Sequence, residues 1–167
     1  MTTIVASVSH GAIAADTRMT GEAAIGNISK LRRVGDCVYG IAGHIDPAFL
    51  FLEWMERLNP KESYRKRIEA LHKMIGPEDR SSFTAIELSD SGLAYWSGWG
   101  VRVPVLDKIW GTGTGAAVAI SHVKRGMDPQ EAIRVAMQED ECSGLIDEPE
   151  VMYLLPPELL PKRRTRK

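Results

Sequence analysis

Short apolar runs interrupted by turn residues open the chain, and longer mixed runs with helical spacing come later. Thr3 to Val8 is β-branched or small, Ser9-His10-Gly11 interrupts it, and Ala12 to Ala15 resumes it before Asp16, which predicts a tight hairpin. The glycine-punctuated stretch Thr20 to Asn27 predicts a loop. Ile28 to Val34 and Cys37 to Ala42 predict a second strand pair turning at Gly35-Asp36. Asp46 as a cap, Pro47 in the first turn, and Phe49, Leu50, Leu52 and Met55 at helical spacing predict a helix ended by Asn59-Pro60. A shorter helix is expected over about Tyr64 to Ile75. Phe83 to Leu88, Leu93 to Trp96, Val101 to Val105 and Ile109-Trp110 read as further strands. Gly111 to Gly115 is expected to break the chain before a helix from Ala116 to about Lys124, closed by Gly126. Asp128, Pro129 and Glu131 start another helix that reaches about Glu139, and Val151 to Leu155 predicts a last strand. Strands, two helices, more strands and two more helices imply an α+β domain in which helices cover two packed sheets.

Composition narrows this picture. With 167 residues and 44% hydrophobic content, one domain spanning 1–167 is expected, with 156–167 as a flexible basic tail. Lys+Arg 21 against Asp+Glu 22 leaves a net charge of -1, so no overall basic field draws nucleic acid or an anionic membrane. No apolar run approaches the roughly 20 residues of a membrane span, and no signal-peptide pattern opens the chain, so a cytoplasmic location is expected. Cys37 and Cys142 lack the histidine clustering of a zinc site and are expected as reduced thiols. The four histidines show no metal-ligand spacing, and Trp54, Trp96, Trp99 and Trp110 are read as core or interface residues.

The candidate chemistry begins at Thr2. A threonine hydroxyl needs a base within hydrogen-bonding reach, and a free α-amine, with an ordinary pKa of about 7.7 to 8.0, can be that base once Met1 is removed. Thr2-Thr3-Ile4-Val5-Ala6, Ala14-Ala15-Asp16, Lys30 within Ile28-Ser29-Lys30-Leu31-Arg32-Arg33, and Ile41-Ala42-Gly43 then follow in order. Gly111-Thr112-Gly113-Thr114-Gly115 and Asp140-Glu141-Cys142-Ser143-Gly144 continue the series. In order and spacing, over about Thr2 to Leu155, these segments resemble the successive motifs of HslV and proteasomal β subunits, the N-terminal-nucleophile threonine peptidases.

The resemblance implies a four-layer αββα sandwich of two antiparallel sheets covered by helices. It implies that Thr2 is the nucleophile, that Asp16 and Lys30 are its orienting pair, and that the Gly43 N–H stabilises the oxyanion. Asp140 and Ser143 would hold the terminal amine, with Thr112 standing where the family usually has serine. Thr20, Ile28, Ile41 and Ile45 would shape an apolar substrate pocket. No cofactor is expected for catalysis; a structural Na or Mg ion on the backbone carbonyls of Met137, Asp140 and Ser143 is implied. Related enzymes stack in rings, so a homo-oligomeric double ring of about 12 or 14 subunits is expected, fed with unfolded polypeptide by an ATP-dependent unfoldase. The hairpin is about two residues shorter than the family's, and the helix from Tyr64 is trimmed. Two rivals remain open: a silent proteasome-like scaffold, or a nucleic-acid-associated protein using the basic tail Lys162 to Lys167, and an amidohydrolase acting on small amides.

Overall fold

The computed structural model describes residues 2–20, 25–139 and 148–155. Strands β1 (Thr3–Ser7) and β2 (Ala12–Ala15) form the expected hairpin, with Ile4 opposite Ala15 and Ser7 opposite Ala12. The β3 (Arg18–Thr20) and β4 (Ile25–Asn27) strands pair with each other in place of the expected loop. Next come β5 (Leu31–Val34), β6 (Cys37–Gly43), helix α1 (Ile45–Glu56) and helix α2 (Tyr64–Met74). They are followed by β7 (Phe83–Ser89), β8 (Gly92–Ser97), β9 (Arg102–Val105) and β10 (Ile109–Gly113), then α3 (Ala116–Lys124), α4 (Pro129–Glu139) and β11 (Glu150–Tyr153).

Two antiparallel sheets result, one in the order β10-β1-β2-β11 and one in the order β5-β6-β7-β8-β9. Every residue of β1 and β2 is buried, because both faces of their sheet are covered. Ile4, Ala6, Ile13 and Ala15 face the second sheet and meet Val38, Ile86 and Leu88 there. Val5 and Ala14, on the alternate face, pack under Ala119, Val123, Ile133 and Ala136 of α3 and α4. On the far side, α1 and α2 cover the five-stranded sheet through Phe51, Leu52, Trp54 and Leu71 against Tyr39, Phe83 and Trp96. The layers are therefore α, β, β, α. Trp54 and Trp96 belong to this core, whereas Trp99 and Trp110 are exposed.

Three local expectations change. Gly111 to Gly113 does not break the chain but continues β10 against β1, with Val5 opposite Gly111 and Thr3 opposite Gly113. A side chain at Gly111 would stand 2.7 Å from the Ile4 carbonyl oxygen, so glycine permits a close strand approach that in sequence resembles a turn signal. The expected strand Ile28 to Val34 is shortened to Leu31–Val34, and residues 28–30 lie outside it, with Ser29 exposed and Lys30 buried. Asp46 does not cap α1; His44 holds that position without a side-chain cap, and Asp46 lies in the first turn, where its charge complements the helix dipole. Ser63 caps α2 instead, accepting the Lys66 N–H. The basic tail expected over 156–167 lies outside the described residues.

Candidate active site

Thr2 stands immediately before β1, and the end of β10 holds it in place. Its carbonyl accepts the Thr114 N–H at 3.1 Å. Gly113 sits against that carbonyl with φ +98°, and a Cβ there would lie 1.6 Å from the Thr2 oxygen, so only glycine fits. The next residue is fixed from both sides. The Thr3 N–H donates to Asp16 Oδ1 at 2.6 Å, the Asp16 N–H donates to the Thr3 carbonyl at 3.0 Å, and Thr3 Oγ1 accepts the Gly115 N–H at 3.1 Å.

Asp16 is the hub of this arrangement. Its other oxygen, Oδ2, accepts Lys30 Nζ at 2.8 Å, in an ion pair whose side chains are 0% and 3% exposed. The ammonium also donates to the Arg18 carbonyl at 2.7 Å. Of its three N–H donors, one is left without a partner among the described residues. Burial pushes the Lys30 amine below the ordinary lysine range, and the charge and hydrogen bond of Asp16 pull it back up, followed by the charge of Glu150.

Thr2, Lys30, Gly43 and Thr112 line one cleft of 840 Å³. Gly43 ends β6 with φ +108°, and a Cβ there would meet the Ser82 carbonyl oxygen at 2.3 Å. His44 donates its N–H to that same oxygen at 2.9 Å, which locks the β6 end to the start of β7. Thr112 lies opposite Ile4 on β10 and is half-buried. The fold thus brings together residues from five separate segments of the chain around the expected nucleophile.

The expected substrate pocket is only partly there. Ile45 lines the cleft, but Ile41 is a correction: it is buried among Phe51, Leu52 and Phe83 under α1 and does not line it. Alternation along β6 explains this, since Val38 and Ala42 face the other sheet while Tyr39 and Ile41 face the helices. Ile28 is half-buried, and it too is outside the cleft lining. Thr20 ends β3, where its backbone pairs with Ile25. Apolar walls come instead from Met19, Ala42, Pro47 and Phe83. Asp140 and Ser143 lie outside the described residues. Met137 sits in the last turn of α4, where carbonyls have no intrahelical donor, with its side chain buried against β1 and β2. Among the described residues no three His, Cys, Asp or Glu side chains gather as a metal site.

Two contributors escape a reading of the sequence. The Arg18 carbonyl holds Lys30, a backbone role that no side-chain pattern signals. Glu150 of β11 reaches the backbone around Lys30 from 120 residues away, and only three-dimensional pairing of β11 with β2 brings it there.

No protein-family model matches the chain, and no curated protein does. Solved structures do. A Thiobacillus denitrificans protein, BPH, is 20% identical, with 93% of this chain and 98% of that chain covered and a TM-score of 0.65. The same protein in complex with epoxomicin gives 20% identity, 93% and 99% coverage and a TM-score of 0.63. Eukaryotic HslV from Trypanosoma brucei is 23% identical, with 90% and 99% covered and a TM-score of 0.62. At these identities the likeness is one of architecture, and the chain has the layered αββα sandwich fold of BPH and HslV.

Proposed function

We propose that the chain is a threonine peptidase of the proteasome and HslV type, with Thr2 as nucleophile after removal of Met1. One observation carries the reading: Thr2 shares a cleft with a buried ammonium, Lys30, held by Asp16. A lysine is ordinarily a surface residue whose head reaches water. Here it is 3% exposed and points to the first residues of β1 through Asp16, an arrangement that packing alone does not require.

The chemistry follows from the charges. The Lys30 ammonium favours the deprotonated Thr2 hydroxyl and keeps the neighbouring α-amine neutral, so the amine takes the hydroxyl proton. Thr2 Oγ attacks the peptide carbonyl, and a backbone N–H at Gly43 stabilises the oxyanion. Collapse breaks the C–N bond as the amine returns its proton to the leaving nitrogen. Water then hydrolyses the ester, giving back the threonine hydroxyl and releasing the acid. Apolar walls at Met19, Ile45 and Phe83 favour an apolar residue before the scissile bond. Asp140, Ser143 and Thr112 would orient the amine. A double ring fed by an ATP-dependent unfoldase in the cytoplasm would confine such a site to unfolded chains. No helix among the described residues is long and apolar enough to cross a membrane.

Epoxomicin, the ligand of the Thiobacillus complex, supplies the test. Protein with Thr2 as its first residue is incubated with the inhibitor and weighed intact. The expected result is a gain of one inhibitor mass, lost in Thr2→Ala and in protein that keeps Met1. A folded chain beginning at Thr2 that neither gains mass nor hydrolyses unfolded polypeptide refutes the proposal.

A further inference from the structure

Strand β11 lies at the edge of the four-stranded sheet, and its first residue, Glu150, pairs with Ala15, the neighbour of Asp16. The Glu150 side chain crosses to the segment that leads into β5. Its Oε1 accepts the Leu31 N–H at 3.1 Å and the Lys30 N–H in a shorter contact, and its Oε2 accepts the Ser29 hydroxyl at 2.7 Å. One carboxylate therefore takes three donors from three consecutive residues centred on the lysine. From the other side, the Lys30 carbonyl accepts the Ile41 N–H at 2.9 Å. Residues 28–30 belong to no strand, so these contacts stand in for the ladder that would otherwise fix them.

We propose that Glu150 is a positioning residue of the site: by anchoring the Ser29–Leu31 backbone, it fixes the point from which the Lys30 side chain reaches Asp16 and the cleft. The kinetic consequence rests on the peptidase reading; the anchoring does not. A carboxylate so placed is well suited to the task, because bonds from neutral donors to a charged acceptor are stronger than neutral pairs and hold geometry tightly. It is half-buried, and burial pushes its carboxyl up, opposed first by the Ser29 hydrogen bond and then by those from Lys30 and Leu31. General docking of β11 is a separate job. The strand's other end is tied by Arg33, whose guanidinium donates to the Leu154 carbonyl at 3.1 Å and to the Tyr153 carbonyl.

The two ends can be cut separately. Glu150→Gln and Arg33→Gln are compared with wild type by peptide-hydrolysis kinetics and by NMR titration of the Lys30 side chain in protein carrying 13C-labelled lysine. Glu150→Gln is expected to lower kcat about 10- to 100-fold with KM nearly unchanged. It also moves the Lys30 titration to lower pH, since a nearby negative charge is lost. Arg33→Gln does neither. A folded Glu150→Gln protein with wild-type kcat and Lys30 titration overturns the proposal, as does an Arg33→Gln protein that reproduces both changes. Should wild type neither hydrolyse peptide nor take up epoxomicin, the peptidase reading fails by itself, and the Lys30 titration alone decides the anchoring on the same criteria. If Glu150→Gln does not fold, Ser29→Ala removes one of the three donors. A fall in kcat of about threefold with a displaced Lys30 titration then supports the proposal, and no change in either overturns it.

Discussion

Replacing Asp16 by asparagine tests the centre of the site with little change of shape. The amide of Asp16→Asn would keep an acceptor for the Thr3 N–H, now at 2.6 Å, but would leave the Lys30 ammonium without its counter-charge at 3% exposure. Breaking a buried pair from one side costs about 3–5 kcal/mol, because an uncompensated charge stays in low dielectric. Two features reduce the figure. Lys30 keeps the Arg18 carbonyl at 2.7 Å, and burial already holds its pKa below 10.5, so the amine escapes part of the penalty by discharging. About 3 kcal/mol is therefore expected at pH 7.

The sign of the pH dependence follows from the same groups. Between the lowered folded pKa of Lys30 and 10.5, the unfolded chain binds a proton that the native chain lacks, so stability rises with pH through that window. Loss of Asp16 lowers the folded value further and widens the window. The deficit of Asp16→Asn relative to wild type should then shrink as pH rises through the lowered folded value of wild-type Lys30, above which the amine is neutral in both native states. Urea unfolding followed by tryptophan fluorescence measures it. With a slope of about 2 kcal/mol/M, the midpoint falls by about 1.5 M at pH 7. A deficit below about 1 kcal/mol, or one that grows with pH, refutes the argument. Adding Lys30→Met to Asp16→Asn should recover much of the loss, since an uncharged methionine of similar volume removes the stranded charge.

Gly113→Ala puts a methyl 1.6 Å from the Thr2 carbonyl oxygen at φ +98°, so Thr2 must move. Epoxomicin uptake should be abolished and thermal unfolding should shift down by more than about 1 kcal/mol equivalent. Gly43→Ala places a methyl 2.3 Å from the Ser82 oxygen, which should separate the β6 end from β7 and depress kcat far more than KM. Glu87, 4% exposed, accepts Trp96 Nε1 at 2.6 Å and the Tyr39 hydroxyl at 3.1 Å and pairs with Arg102. Glu87→Gln should cost about 2 kcal/mol in denaturant, less than a wholly buried pair because Arg102 is partly solvated. Burial, then the Glu87 charge, pushes the Tyr39 phenol up, so alkaline titration by absorbance should show one tyrosine that ionises only as the protein unfolds.

The parts of the fold legible in the sequence are those whose signals are local. Helix α3 begins and ends where Gly115 and Gly126 punctuate a run of small apolar residues, and α4 starts at Pro129, with Asp128 accepting the Gln130 N–H at 2.9 Å. Asp16 stands out as the acid that ends the apolar run Ala12 to Ala15, and Lys30 as the cation just before the next strand. What is not legible depends on partners distant in sequence. The β3–β4 ribbon lacks a β-branched run, and only mutual pairing makes it a strand pair. Glycines in β10 read as a break because sequence does not reveal that β1 lies too close for side chains. Proximity to Gly43 along the chain puts Ile41 near the site, whereas strand alternation turns it to the opposite face.

The turn of the first hairpin has a structural consequence of its own. The turn at residues 8–11 closes with the Gly11 N–H on the Val8 carbonyl at 3.0 Å and Gly11 at φ +58°, far along β1 from Thr2. Register at the open end is set elsewhere: Asp16 exchanges bonds with Thr3 through both its backbone and its carboxylate, and Thr114 and Gly115, just past β10, hold Thr2 and Thr3. Because side chains alternate with a period of two, removing about two residues from the turn, one from each strand, leaves every remaining side chain on its original face. Loss of a single residue would instead turn Asp16 away from Lys30 and send Ile13 out of the core between the sheets. The turn can therefore vary in even steps while the Thr3, Asp16 and Lys30 contacts persist, and deleting Ser9 alone should disrupt the ion pair that deleting Ser9 with His10 preserves.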